Sequence, residues 1–175
     1  MGLGKRLPSG IFRRRSKTMP PKPIIDLATI DVEGCLFDIE AIRERNAQRF
    51  ELEMLDRIVH LDPEAGTSAA VKEVGENEFW VRGHFPGRPI MPGILMIEAS
   101  GQLCSFHCCE VRRVDEVIGF AACEEARFRG TVSPGDTLLI VGRMLDLRAR
   151  LARFQSQAFV DGRLVFEGTI VGMKL

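Results

Sequence analysis

Residues 83–93 read Gly83-His84-Phe85-Pro86-Gly87-Arg88-Pro89-Ile90-Met91-Pro92-Gly93, and no other stretch constrains the fold as strongly. Three glycines and three prolines in so short a run fix the backbone as a loop and forbid helix or central strand. The chain then runs directly into a segment, Gly93 to about Glu110, that is apolar nearly all round: Ile94, Leu95, Met96, Ile97, Ala99, Leu103, Cys104, Phe106 and Cys108. A helix that is hydrophobic on every face is a buried helix. The chain is therefore expected to organise around one central helix with a rigid loop at its N-terminus.

Most of the remaining signals are strands. Segments near 51–61 and 67–74 flank the turn-rich Asp62-Pro63-Glu64-Ala65-Gly66, and Phe79-Trp80-Val81 is a third short candidate. The C-terminal third reads as four strands, about 116–128, 137–147, 150–160 and 163–173. Asp161-Gly162 is a strong hairpin signal because both residues tolerate positive φ, and Ser133-Pro134-Gly135-Asp136 makes another turn. A short helix opens at Asp38, whose side chain suits the N-cap. One buried helix among antiparallel strands is an α+β arrangement, a sheet wrapped around the helix.

At 175 residues, with 45% hydrophobic and 27% charged side chains, the chain has the makeup of one globular domain. No apolar run reaches the roughly 18–20 residues that span a bilayer, and the N-terminus lacks a secretory apolar stretch. Five cysteines without framework spacing point to a reducing compartment, hence a cytoplasmic protein. The formal charge is balanced, yet residues 1–23 carry seven basic residues and no acid, leaving the rest of the chain at −7. With three prolines among residues 20–23, this segment reads as a flexible basic tail ahead of a single domain spanning 24–175. Nucleic-acid binding by such a tail would be strongly salt-dependent and lost on deleting residues 1–18.

Two residues at the loop and helix carry the chemistry. Glu98 lies in the second turn of an otherwise apolar helix, and a buried carboxylate must be neutral, paired or hydrogen-bonded. Gln102 stands four residues on, on the same face, and can supply such a bond. His84 is held in a loop too rich in Pro and Gly to wander, which fixes a base in place. The N–H of Gly93, at the helix start, can stabilise a developing oxyanion. Base, acid and oxyanion donor are thus expected together, as general acid–base catalysis requires.

The run His84-Phe85-Pro86-Gly87-x-Pro89-Ile90-Met91-Pro92-Gly93-Ile94-Leu95-x-x-Glu98-Ala99-x-x-Gln102 resembles the signature of the 3-hydroxyacyl-(acyl-carrier-protein) dehydratases of fatty acid synthesis. Asp38-Ile39-x-x-Ile42, Leu55-Asp56-Arg57, Asn77-Glu78, Ala126-Arg127-Phe128-Arg129 and Val132-x-Pro134-Gly135-Asp136 are similar to the family as well, so the resemblance covers roughly residues 38–174. It implies the hotdog fold and conversion of a 3-hydroxyacyl thioester into a trans-2-enoyl thioester, a lyase reaction of fatty acid or related lipid biosynthesis. By the resemblance His84 removes the α-proton, Glu98 protonates the departing hydroxyl, Gly93 N–H holds the thioester oxygen and Gln102 orients Glu98. It further implies a homodimer with composite active sites, or a hexamer built from it. Glu98, where the isomerising branch has Asp, favours the dehydration-only branch. The family's Leu-Pro-His-Arg-Tyr-Pro-Phe run is replaced by Asn46-Ala47-Gln48-Arg49-Phe50-Glu51-Leu52.

The resemblance implies no metal and no redox cofactor, the substrate arriving on the phosphopantetheine of acyl carrier protein, with neither nucleic acid nor membrane as partner. Arg82 and Arg88 beside the loop, with Arg127 and Arg129, are candidates for docking the acidic carrier. Cys104-x-x-His107-Cys108-Cys109 has the look of a metal site, but two of its thiols fall on the core helix, where packing is expected. The competing functions are a hotdog thioesterase, in which Glu98 activates water, and a catalytically silent acyl-binding or assembly subunit.

Overall fold

The computed structural model describes residues 21–114 and 116–175. Residues 1–20 of the expected basic tail lie outside them. Six strands form one antiparallel sheet: β1 (Arg57–Asp62), β2 (Thr67–Glu73), β3 (Ile118–Phe128), β4 (Thr137–Leu147), β5 (Leu151–Val160) and β6 (Arg163–Lys174). Their order across the sheet is β1-β2-β4-β5-β6-β3, with β1 and β3 at the edges. The long helix α2 (Gly93–Arg112) lies on one face against β2, β3, β4, β5 and β6.

Local chemistry explains these elements. The short helix α1 (Ile39–Arg43) is capped by the Asp38 carboxylate, which accepts the Ala41 N–H at 2.9 Å. The β5–β6 hairpin turns at Asp161 (φ 50°) and Gly162 (φ 70°), the positive-φ pair expected there. α2 ends at Arg113 in the left-handed region, with its N–H on the Cys108 carbonyl. Leu95, Met96, Ala99, Leu103, Cys104, Phe106 and Cys108 of α2 are buried in one core with Ile140, Phe154, Phe166 and Ile170 of the sheet. Cys104 and Cys108 are thus packing residues.

Three expectations are corrected. Phe79-Trp80-Val81 is a turn, not a strand, because the Trp80 carbonyl accepts the N–H groups of both Gly83 and His84. β1 begins only at Arg57, six residues later than the pattern suggested. The preceding residues Phe50–Leu52 form a 3₁₀ turn, with Phe50 at φ 60°. Nor is α2 covered on every side: Ile94 is 70% exposed and Glu98 only half-buried.

The opposite face of the sheet carries a second apolar cluster, Val59, Ala69, Val71, Leu139, Val141 and Phe159, closed by Ile30. Strand periodicity sends these side chains away from α2, and residues 24–32 cover them as a strap. The strap is fastened by Gln157, whose Oε1 accepts the Ile24 N–H at 2.8 Å and whose Nε2 donates to the Lys22 carbonyl. Arg143 and Arg57 hold it further by donating to the carbonyls of Ile24 and Val32.

Candidate active site

His84 sits in a loop closed by paired backbone bonds. Phe85 and Arg88 exchange N–H···O bonds at 3.1 and 2.9 Å, and Ile90 N–H donates to the His84 carbonyl at 2.7 Å. Met91 N–H anchors the loop on the Val132 carbonyl at 2.7 Å. The His84 ring stacks on Phe85 with centroids 4.1 Å apart, across a cis peptide bond. Its Nδ1 stands 2.7 Å from the Ile90 carbonyl oxygen. A carbonyl can only accept, so in the neutral ring Nδ1 carries the proton and Nε2 the lone pair.

Glu98 is one α2 turn beyond Ile94, beside the segment that joins α1 to β1. Gln102 Nε2 donates to Glu98 Oε1 at 2.9 Å, and Gln48 Nε2 approaches the same oxygen at 3.4 Å. Gln102 is itself held firmly. Its Oε1 accepts the Met54 N–H at 3.0 Å, and its Nε2 also donates to the Leu52 carbonyl at 2.7 Å. Asn46 Nδ2 donates to the Gln102 carbonyl at 3.0 Å. Glu98 and Gln48 line a cavity of about 30 Å³ with Gly101, Cys104, Phe120 and Ile170.

Gly93 opens α2, where helical geometry gives its N–H no acceptor within the helix. The Phe128 ring lies over it so closely that an added Cβ would sit 2.8 Å from a ring carbon. Among the described residues no hydrogen bond joins His84 and Glu98, and His84 is not among the residues lining the Glu98 cavity. Gln48, which sequence reasoning passed over as part of a diverged run, joins the site directly.

Of the candidate docking arginines, Arg82 and Arg88 are exposed on the His84 loop and make no ion pair among the described residues. Arg129 is engaged with Glu167, and Arg127 stands 4.0 Å from the same carboxylate. Among the described residues no three His, Cys, Asp or Glu side chains converge as metal ligands, and no helix is long and apolar enough to cross a membrane.

A single long helix wrapped by a six-stranded antiparallel sheet, with a rigid His loop at the helix N-terminus, defines a hotdog-fold protein. The FabA-like domain model matches residues 46–169, and the chain belongs to that family. It is 38% identical over 136 residues to the 3-hydroxyacyl-[acyl-carrier-protein] dehydratase FabZ of Escherichia coli O9:H4 (strain HS), covering 76% of this chain and 89% of that one. It is 36% identical over 140 residues to the bifunctional enzyme LpxC/FabZ of Chlorobaculum tepidum, spanning 79% of this chain but only 30% of that longer protein. Among solved structures, the dehydratase heterocomplex ApeI:P from Xenorhabdus doucetiae shares the fold, with a TM-score of 0.65, 13% identity, and coverage of 77% of this chain and 90% of that one.

Proposed function

We propose that this chain dehydrates 3-hydroxyacyl thioesters carried on acyl carrier protein to trans-2-enoyl thioesters in fatty acid biosynthesis, with His84 as base and Glu98 as acid. Nε2 of His84 takes the proton from the carbon next to the thioester. Glu98 gives its proton to the 3-hydroxyl. The C–H and C–O bonds break, the carbon–carbon double bond forms, and water leaves. Proton exchange with solvent returns both side chains to their starting state, so the step needs no oxidant or reductant. Gly93 N–H, at the positive end of α2, stabilises the charge that develops on the thioester oxygen.

The observation that carries this reading is the His84–Ile90 bond, which leaves Nε2 as a base pointing out of a rigid loop. Because no hydrogen bond joins His84 and Glu98 and only Glu98 lines the cavity, we read the complete site as composite, formed where two copies meet. Two features support such a pairing: β3 is an exposed sheet edge, and α2 exposes Ile94 one turn before Glu98. Arg82 and Arg88 flank the His84 loop and are placed to receive the acidic carrier and the phosphate of its phosphopantetheine arm.

The test is reversible hydration of a short trans-2-enoyl thioester, followed by loss of enoyl absorbance, on carrier-protein and coenzyme A substrates. His84→Ala and Glu98→Gln are each expected to lower turnover by about 10²–10⁴-fold with the fold intact. A folded dimer of the wild type without turnover on any chain length would overturn the assignment. Release of free thiol instead of hydration would mark a thioesterase.

A further inference from the structure

The cavity beside Glu98 contains a polar atom that the protein leaves unanswered. Gln48 Oε1 is shut off from solvent and has no hydrogen-bond partner among the described residues. Its own Nε2 leans on Glu98 Oε1, the oxygen that Gln102 also occupies. Both amide donors therefore meet one carboxylate oxygen, and Glu98 Oε2 is left as the site for the acid's proton. A buried amide oxygen without a partner is destabilising, so the pocket is built to receive a donor. Apart from Gln48 and Glu98, the wall is made of glycine, Cys104, Ile118, Phe120 and Ile170, which bring no further side-chain oxygen. The space, about 30 Å³, is enough for a water or a hydroxyl group, since one water needs roughly 10–15 Å³.

We propose that Gln48 is a further catalytic residue, whose Oε1 accepts the O–H of the substrate's 3-hydroxyl, and of the water it becomes, while Glu98 Oε2 protonates the same oxygen. This rests on the dehydratase reading and adds to it a seat for the leaving group. In dehydration the 3-hydroxyl keeps its hydrogen, directed at Gln48, and gains a second one from Glu98. In hydration the same pair holds the attacking water, with Glu98 taking one of its protons and Gln48 aligning the other. Two side-chain oxygens at fixed positions, Gln48 Oε1 accepting and Glu98 Oε2 exchanging the proton, orient the reacting oxygen, which is where geometry lowers a barrier.

The proposal is tested on the full chain with Gln48→Leu, and with Gln48→Met as a second variant that keeps the side-chain length. Both remove the acceptor. Hydration of a trans-2-enoyl thioester should slow by about 10–100-fold in kcat. Inhibition by the saturated acyl thioester of equal length should stay within about twofold of wild type, because that ligand has no hydroxyl for Gln48 to seat. Gln48→Glu keeps an acceptor oxygen and should recover part of the rate. Wild-type kcat in both apolar variants would overturn the proposal, as would equal loss of saturated-thioester binding, which marks Gln48 as a wall of the pocket only. If Glu98→Gln also retained full turnover, the dehydratase site itself would fall. Loss in Glu98→Gln with none at Gln48 would remove this inference alone.

Discussion

Gln102 grips the Glu98 carboxylate and the chain at Met54 with one amide group, Nε2 on Glu98 Oε1 and Oε1 on the Met54 N–H. The proposed acid and the entry to β1 are therefore set by the same side chain. Gln102→Leu leaves the Met54 N–H buried without a partner, and urea denaturation should show a loss of about 1–3 kcal/mol. Turnover should fall with it, because Glu98 loses its shorter hydrogen bond. Full stability in this variant would mean that the amide does not hold the segment.

The strap over the outer sheet face should be integral to stability. Ile30 is 7% exposed and closes the cluster formed by Val59, Val71, Leu139, Val141 and Phe159. Ile30→Ala should destabilise the chain by about 2–5 kcal/mol, the range for truncating a large buried side chain. Hydration kinetics of the folded fraction should not change, since the strap lies across the sheet from Glu98. A loss below about 1 kcal/mol would show that the strap packs loosely.

Acid should weaken the fold through His107. The ring is fully buried on α2, with Nδ1 3.2 Å from Ser68 Oγ and Nε2 unpartnered. Burial, and then the nearby Arg112 charge, push its pKa down from 6.5 to about 4. The unfolded chain thus takes up a proton that the folded chain refuses. Stability should fall as pH drops from 6.5 towards 4 and level off below, a change of about 3 kcal/mol from this group. Urea midpoints at pH 7.5 and 4.5 check the sign: His107→Gln should lose less on acidification than wild type. An equal loss would place the acid sensitivity in other groups.

Much of this was legible before any coordinates. The four C-terminal strands and the Asp161-Gly162 turn follow from alternation and turn chemistry, and α2 follows from its apolar run. The two strand errors share a physical cause, backbone groups claimed by partners other than a neighbouring strand. The pattern over 51–56 looked like strand, but Gln102, about fifty residues away, binds the Leu52 carbonyl and the Met54 N–H that a ladder would need. At 79–81 the Trp80 carbonyl turns inward to hold the His84 loop. The strap had a signal in Ile24, Ile25, Leu27, Ile30 and Val32, yet nothing local says that such residues cover a sheet's outer face. Gln48 was hidden for a similar reason: its meaning comes from Glu98, which lies fifty positions further along the chain.

The exposed edge at β3 leads to the last prediction. All but three of its residues are exposed, including Phe120 and Phe128, each just over half accessible. A strand of eleven residues with a free edge and exposed aromatics invites pairing with another chain. Ala122 is exposed near the middle of this strand, in register with Val171 of β6. A charge there would leave the β3–β6 register in place but would be desolvated, and set near its own copy, in a β3-to-β3 dimer. Sedimentation velocity should therefore find wild type as a dimer or a multiple of it, and Ala122→Glu shifted towards monomer. Hydration activity should fall in proportion to the dimer lost and recover at high protein concentration, because the proposed site pairs His84 of one copy with Glu98 of the other. A fully active monomer would refute the composite site and require His84 and Glu98 to meet within one chain.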